Sequence, residues 1–411
     1  MRKVTVDMIE PGMILGKDIH NRRGDVLLSG GVTLTEQYID ALKKYGYYIV
    51  YIQDGVGDDV EPPDILTPKL RNLTYKHLDE LFAVIESASA VEDPEEQREL
   101  LARFARAAKP QFATLYRDVE AIIARVASAE TLSGMVSLQS HDSYTYEHSL
   151  EVTIAGVMLG QRLFLSEQEL RQLTLGCLCH DIGKVVVPKS ILNKPTRLSS
   201  EEYQLIQRHP QAGYDIVQHL MDTSDIVARN VVRQHHERQD RTGYPRGLRG
   251  SNRFNPGKEI YGQGLMLRSA EIAAVADVYA ALASDRPYRQ GMSPSEIVAT
   301  LQSMAGDHLN REIVTRFLSI LPTYPISTKV VVISPKLQGY RGIVTDIHPA
   351  HLSRPIVRIL FDRRGHAVAP FELDTHKEKD IEIATSSYAE LVGFDFASEG
   401  PTRIAGGNPR A

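Results

Sequence analysis

The chain has 411 residues, 42% of them hydrophobic and 24% charged, with a formal net charge of -5. That length supports two or three domains around a sizeable core, and the acidic balance disfavours binding to a nucleic acid polymer. No segment offers the ~20 uninterrupted apolar residues of a membrane helix, and the two cysteines, Cys177 and Cys179, lie too close on one helix to pair; the expected location is the cytoplasm, without membrane insertion.

Residues 1–53 read as a small α/β unit: extended VTVDMI, a turn at Glu10-Pro11-Gly12, hairpin-like glycines in GDVLLSGGVTL, a helix from about Glu36 to Tyr45, and a strand in YYIVYIQD. Residues 54–68 are acidic, rich in proline and glycine and without apolar period, which predicts a linker. Residues 69–129 carry a helical pattern, restarted where Asp93-Pro94-Glu95-Glu96 supplies an N-cap, a first-turn proline and first-turn acids. This predicts a helical neck, with a surface through which a homodimer would pair. From 130 to 322 helix follows helix, with capping-box signals at Ser199 with Glu202 and Ser293 with Glu296. Residues 323–390 change to short Val- and Ile-rich runs, TKVVVIS, GYRGIVTDI, PIVRILFD and DIEIA, predicting a small β-domain with a barrel as its expected form. His348, His351, His366 and His376 are scattered there and read as surface side chains. The tail, 391–411, is expected to be disordered at its end. The fold class is therefore mainly α: an all-helical central domain with a small N-terminal α/β domain and a small C-terminal β-domain.

The helical centre holds His148 in YTYEHSLEV, His180 and Asp181 in LGCLCHDIGK, His209 in QRHP, the pair His235 and His236 in RQHHERQD, and Asp277 in AEIAAVADVYAAL. Asp181 and Asp277 interrupt apolar stretches, and a carboxylate buried there is costly unless a cation or several donors compensate it. Taken singly, His148 reads as a core histidine and His209, before Pro210, as a helix terminus. Together, five histidines and two aspartates suit two ions with nitrogen and oxygen ligands, such as Fe, Mn, Zn or Ni, whereas thiolate sites would want more cysteines. Two such ions sharing a carboxylate can generate a hydroxide at neutral pH and clamp the attacking and leaving oxygens at phosphorus, which points to phosphoester hydrolysis. Cys177 and Cys179 read as core residues of their helix.

The stretches HDIGKVVVPKSILNKP, the HP of His209-Pro210, HHERQDRTGYP and DVYAALASDRPYR, in this order and spacing, resemble the HD-GYP branch of the HD phosphohydrolase superfamily over about 130–322. The resemblance implies a cyclic-di-GMP phosphodiesterase of the HD type, opening cyclic di-GMP to pGpG, and in many members onward to GMP, by in-line attack of a metal-bound hydroxide. It implies two or three divalent ions, of which two per chain are expected here, Fe or Mn first and Ni or Zn as others. His148, His180, Asp181 and Asp277 would hold one, and Asp181, His209, His235 and His236 the other, with Asp181 as bridge. Asp181 and Lys184 would be catalytic. Lys184, Arg286 and Arg289 would grip phosphate, the arginines having a solvated surface turn as their alternative. Gly243, Tyr244 and Pro245 would shape a loop at the substrate cleft, which also offers a face to a signalling-protein partner. Glu237 and Asp240 read as organisers of that loop rather than as ligands.

Three positions depart from the family pattern. Tyr144 stands where some members have a glutamate of a third metal site, Ala280 replaces the aspartate of YDAL, and Arg241 replaces a glycine. The first two favour two ions over three. Arg241 keeps a rival reading open, a degenerate member that binds cyclic di-GMP or a partner protein without turnover.

Overall fold

The protein is described by a computed structural model over residues 1–20, 25–45, 47, 49–53, 57–60, 64–86, 94–129, 131–132, 144–194, 196–254, 264–284 and 291–386. The chain divides into two units, Met1–Thr323 and Tyr324–Ala411.

The first unit begins with β1 (Arg2–Thr5), β2 (Ile14–Leu15), β3 (Ile19–His20), β4 (Val26–Leu28), α1 (Glu36–Lys44) and β5 (Ile49–Gln53). The strands β1, β5 and β2 form an antiparallel sheet in that order, and β3 pairs with β4. Of the predicted extended run VTVDMI only the start is strand, because Val6–Met8 turns into a 3-10 helix. Leu15, Leu34, Leu42, Val50 and Ile52 form a separate small core.

Next come α2 (Pro68–Glu86), α3 (Pro94–Ala107), α4 (Lys109–Val126), α5 (Tyr144–Arg162) and α6 (Glu167–Cys179). They are followed by α7 (Lys189–Leu192), α8 (Ser200–Ile206), α9 (His209–Leu220), α10 (Ile226–Gln234), α11 (Arg268–Ala283), α12 (Pro294–Met304) and α13 (Arg311–Leu318). Capping boxes form at Ser199 with Glu202 and Ser293 with Glu296, and a further one at Ser166 with Glu169 starts α6. Each satisfies donors that the first helical turn leaves open. Two expectations need correction. The stretch read as a neck is no separate stalk: Leu78, Leu81 and Ile85 of α2 and Phe112, Leu115 and Ile122 of α4 share one core with α5, α6 and α11, so these apolar faces are used internally. The linker ends earlier than Pro68, since Ile65 and Leu66 are buried in that same core. α11 is buried nearly all round, Arg268 through Asp277 included, which makes it the central rod of the unit.

The second unit is a five-stranded antiparallel sheet of β6 (Lys329–Val332), β7 (Arg341–Asp346), β8 (Ile356–Phe361), β9 (Ala367–Asp374) and β10 (Ile383–Thr385), in the order β10-β6-β7-β8-β9. Among the described residues β9 and β10 are edges, and no pairing between them closes the expected barrel. Val330, Val332, Val344, Val357, Ile359 and Leu373 fill its core. β9 escaped the sequence reading because it is mostly exposed and contains Pro370, which suits an edge strand.

Candidate metal centre

Five helices deliver their ends or inward faces to one place. α5 carries His148, and α6 stops on His180 as its C-cap, so that Asp181 falls just beyond it. His209 opens α9, His235 caps the end of α10 with His236 next, and α11 brings Asp277. His148, His180, Asp181, His209, His235 and Asp277 are buried, and His236 is partly exposed.

Asp181 lies between two sets of imidazoles. Its Oδ2 is 3.3 Å from His180 Nε2 and 3.9 Å from His148 Nε2, while Oδ1 is 3.4 Å from His209 Nε2 and 4.0 Å from His235 Nε2. Donor atoms of His148, His180 and Asp181 lie within 4.8 Å of one another, and so do those of His209, His235 and His236. Asp277 spans both sets as well, with Oδ1 3.0 Å from His148 Nε2 and Oδ2 3.7 Å from His236 Nδ1. The resemblance had assigned it to one.

The tautomers explain why a cation fits. Nδ1 of His180, His209 and His235 is 2.7, 2.7 and 2.9 Å from the carbonyls of Cys177, Ile206 and Val232. A carbonyl only accepts, so each Nδ1 carries the proton and each Nε2 presents a lone pair inward. The Nε2 atoms of His209 and His235 then face each other at 3.2 Å, and His180 Nε2 is buried without a hydrogen-bond partner. Lone pairs so placed repel unless a positive charge joins them.

Burial pushes His235 well below the ordinary histidine value, His209 to about 3 and His236 to about 4. His236 adds to the depression of His209, whereas Asp277 and Asp181 oppose it at His236. At His180 burial acts downward too, but Asp181 outweighs it and the net shift is upward. Burial alone would raise Asp181 and Asp277; His180 and Lys184 hold the first well below the carboxylate range, and the His148 hydrogen bond and His236 hold the second below it. Neutral imidazole and ionised carboxylate are the forms that ligate metals. Because the folded values of His209 and His236 lie below the unfolded value near 6.5, the unfolded chain binds protons first as pH falls. Metal-free protein should therefore lose stability from about pH 6.5 downward, seen as a lower denaturant midpoint at about pH 5 than at about pH 7; an unchanged midpoint would count against buried neutral histidines.

Lys184 reaches Asp181 by a different route from the helix continuation expected. Ile182–Val186 is a 3-10 turn, in which residues three apart eclipse, and Lys184 Nζ stands 2.6 Å from Asp181 Oδ2. Gly183 lets that turn lie against α9: a Cβ there would collide with the His209 carbonyl and stand 2.5 Å from the Gly213 nitrogen.

The loop after α10 is held by Glu237, buried, which accepts from the Arg246 and Leu248 amides at 2.7 Å each. Asp240 accepts from the Thr242 amide at 2.9 Å and its hydroxyl at 2.7 Å. Gly243 has no room for a side chain, a Cβ standing 2.6 Å from the Glu237 carbonyl carbon. The Tyr244 ring lies 4.8 Å from that of His236 and 6.5 Å from that of Tyr203, and Pro245 follows it. Arg286 and Arg289 lie outside the described residues, as does the side chain of Tyr144. Ala280 is fully buried in the helical core, and Cys177 and Cys179 are buried away from ligand duty, with the Cys179 thiol pushed up to about 12 by burial.

Sequence reasoning missed a buried polar brace beneath this loop. Gln239 donates to Glu271 at 2.8 Å, and Asn310 donates to the same carboxylate at 3.1 Å. Glu271, a carboxylate just ahead of the apolar run IAAVA in α11, was its one visible signal.

Arg241 adopts φ 71°, the left-handed region where glycine is at ease. An L side chain there costs ~1–2 kcal/mol, against the extra unfolded-state freedom of glycine, ~0.5–1 kcal/mol. Arg241→Gly should thus stabilise the protein by on the order of 0.5 kcal/mol, read as a raised denaturant midpoint. A lowered midpoint would mean that the side chain makes a compensating contact.

A family model for the HD domain matches residues 145–282. A cyclic di-GMP phosphodiesterase of Pseudomonas aeruginosa is 33% identical over 284 residues, 69% of this chain and 62% of the relative. A cyclic di-GMP phosphodiesterase response regulator of Xanthomonas campestris pv. campestris is 32% identical over 219 residues, 53% of this chain and 47% of the relative. A 3'3'-cGAMP-specific phosphodiesterase of Vibrio cholerae is 35% identical over 161 residues, 39% of this chain and 34% of the relative. The chain spans less than two thirds of the length of each. Among the described residues no helix is long and apolar enough to cross a membrane.

Proposed function

We propose, from the match of residues 145–282 to the HD domain model, a metal-dependent cyclic dinucleotide phosphodiesterase, with cyclic di-GMP as substrate and pGpG, then GMP, as products. The observation that carries the reading is Asp181, with one carboxylate oxygen toward His148 and His180 and the other toward His209 and His235. His148, His180, Asp181 and Asp277 would hold one divalent ion and Asp181, His209, His235 and His236 the second, with Fe or Mn the pair most suited to turnover. Such ions supply Lewis acidity at phosphorus and activation of water at neutral pH.

The chain's own groups do the rest. Asp181 and Asp277 balance the charge of the ions in a buried setting, and the carbonyl-tethered histidines keep their Nε2 atoms aimed inward. Lys184, part-exposed beside Asp181, is placed to meet a non-bridging phosphate oxygen. Tyr244, with Gly243 and Pro245, walls the approach beside His236. Lys184→Ala should keep metal content and lose about 2 to 4 kcal/mol of transition-state stabilisation, the range for deleting one electrostatic donor. Metal analysis with steady-state kinetics checks it; a near-normal rate would remove Lys184 from the chemistry.

The reading is tested by anaerobic purification, metal analysis and chromatography of products from cyclic di-GMP and 3'3'-cGAMP. Conversion of cyclic di-GMP to pGpG or GMP is expected. A protein that binds cyclic di-GMP with two ions in place and yields neither product with Fe, Mn, Ni or Zn is instead a sensor. Arg241, exposed and in a glycine-type conformation beside the loop, favours that second reading.

A further inference from the structure

The histidines of the C-terminal unit are not scattered. His348 follows β7, and a turn closed by the His351 amide on the His348 carbonyl at 2.8 Å keeps His351 beside it. β9 ends on Asp374, paired with Ile356 at the start of β8, and two residues later comes His376. The rings of His351 and His376 stack with centroids 3.9 Å apart at 17°, and the His348 ring lies 5.4 Å from that of His376. His366 stands apart, exposed, 3.5 Å from Asp362.

We propose that His348, His351 and His376, braced by Asp374, form a second cation site, on the C-terminal β-unit, for a borderline divalent ion such as zinc. Asp374 Oδ1 lies 3.2 Å from His348 Nε2 and also accepts the His376 amide at 3.0 Å and the Lys377 amide at 3.2 Å. A carboxylate can accept only from a protonated nitrogen, so His348 Nε2 carries the proton and Nδ1 is the free donor, the carboxylate-histidine arrangement that orients metal ligands elsewhere. Lys377 Nζ sits on the other oxygen, 3.1 Å from Oδ2, and its charge is matched there. Three imidazoles without thiolate suit zinc, nickel or copper, and the lack of an oxygen cage excludes calcium and magnesium. The donors are less tightly drawn than those of the helical centre. Closing the set requires the exposed His351 side chain to turn from its stack on His376 toward the other donors.

The test uses the full chain, stripped with chelator and titrated with zinc against a chromophoric competitor. Wild type and the control His366→Ala should each bind one zinc equivalent more than the His351→Ala/His376→Ala double variant. In wild type, zinc should protect the peptides carrying His351 and His376 from diethyl pyrocarbonate, as read by mass spectrometry, while the His366 peptide stays reactive. Equal stoichiometry in all three proteins, or full reactivity of His351 and His376 at saturating zinc, overturns the proposal. The peptide readout is local, so it does not depend on the helical centre or on the activity proposed for it.

Discussion

Asp181→Ala is expected to abolish hydrolysis and to strip at least one ion from the protein. Asp181 is 1% exposed, and its two oxygens stand between the His148–His180 set and the His209–His235 set, with Asp277 reaching His148 and His236 alongside it. Outer partners of metal ligands are worth ~10–100-fold in affinity or activity, and a carboxylate shared by two cations exceeds that, so turnover should fall by more than about a hundredfold. The loss is one of chemistry rather than of folding, because alanine also removes a buried charge that depends on its cationic neighbours. Circular dichroism should be unchanged while metal analysis and kinetics both collapse. Retention of both ions with near-normal turnover would refute the bridge.

Gly183→Ala should damage both stability and activity without touching a ligand. The added Cβ meets backbone, the His209 carbonyl and the Gly213 nitrogen, and backbone cannot swing aside as a flexible side chain can. Overpacking of this kind costs ~1–3 kcal/mol. The relief available is a shift of α9 away from the 3-10 turn, which carries His209 from Asp181 Oδ1 and Lys184 from its place. Misplacement by about 1 Å can cost ~100-fold in rate. A lowered denaturant midpoint together with a comparable fall in turnover is the expected pair. Normal values of both would mean that the contact between the turn and α9 is looser than drawn.

What could be read from the sequence was what local chemistry decides. The capping boxes at Ser199 and Ser293 announce α8 and α12 because cap and partner sit three residues apart. The seven metal-capable residues stood out because buried aspartates and adjacent histidines have few other uses, and the fold does bring all seven together. Interactions over long sequence separation were hidden. Nothing local in α2 and α4 tells that their apolar faces join the α5–α6 core rather than a partner chain, or that Ile65 and Leu66 belong to that core despite acidic surroundings. Asp277 facing both histidine sets depends on how α11 crosses α5 and α10. His351 against His376 depends on the turn after β7 meeting the end of β9, and β9 itself carries no strong strand signal.

Anomalous diffraction at the metal edges, on crystals of the anaerobically purified protein, tests the central claim most directly. Two fully occupied peaks in the helical centre are predicted, one on either side of Asp181, the first contacted by His148, His180 and Asp277 and the second by His209, His235 and His236. A single peak there, a third fully occupied peak beside Tyr144, or two peaks that Asp181 does not bridge would contradict it.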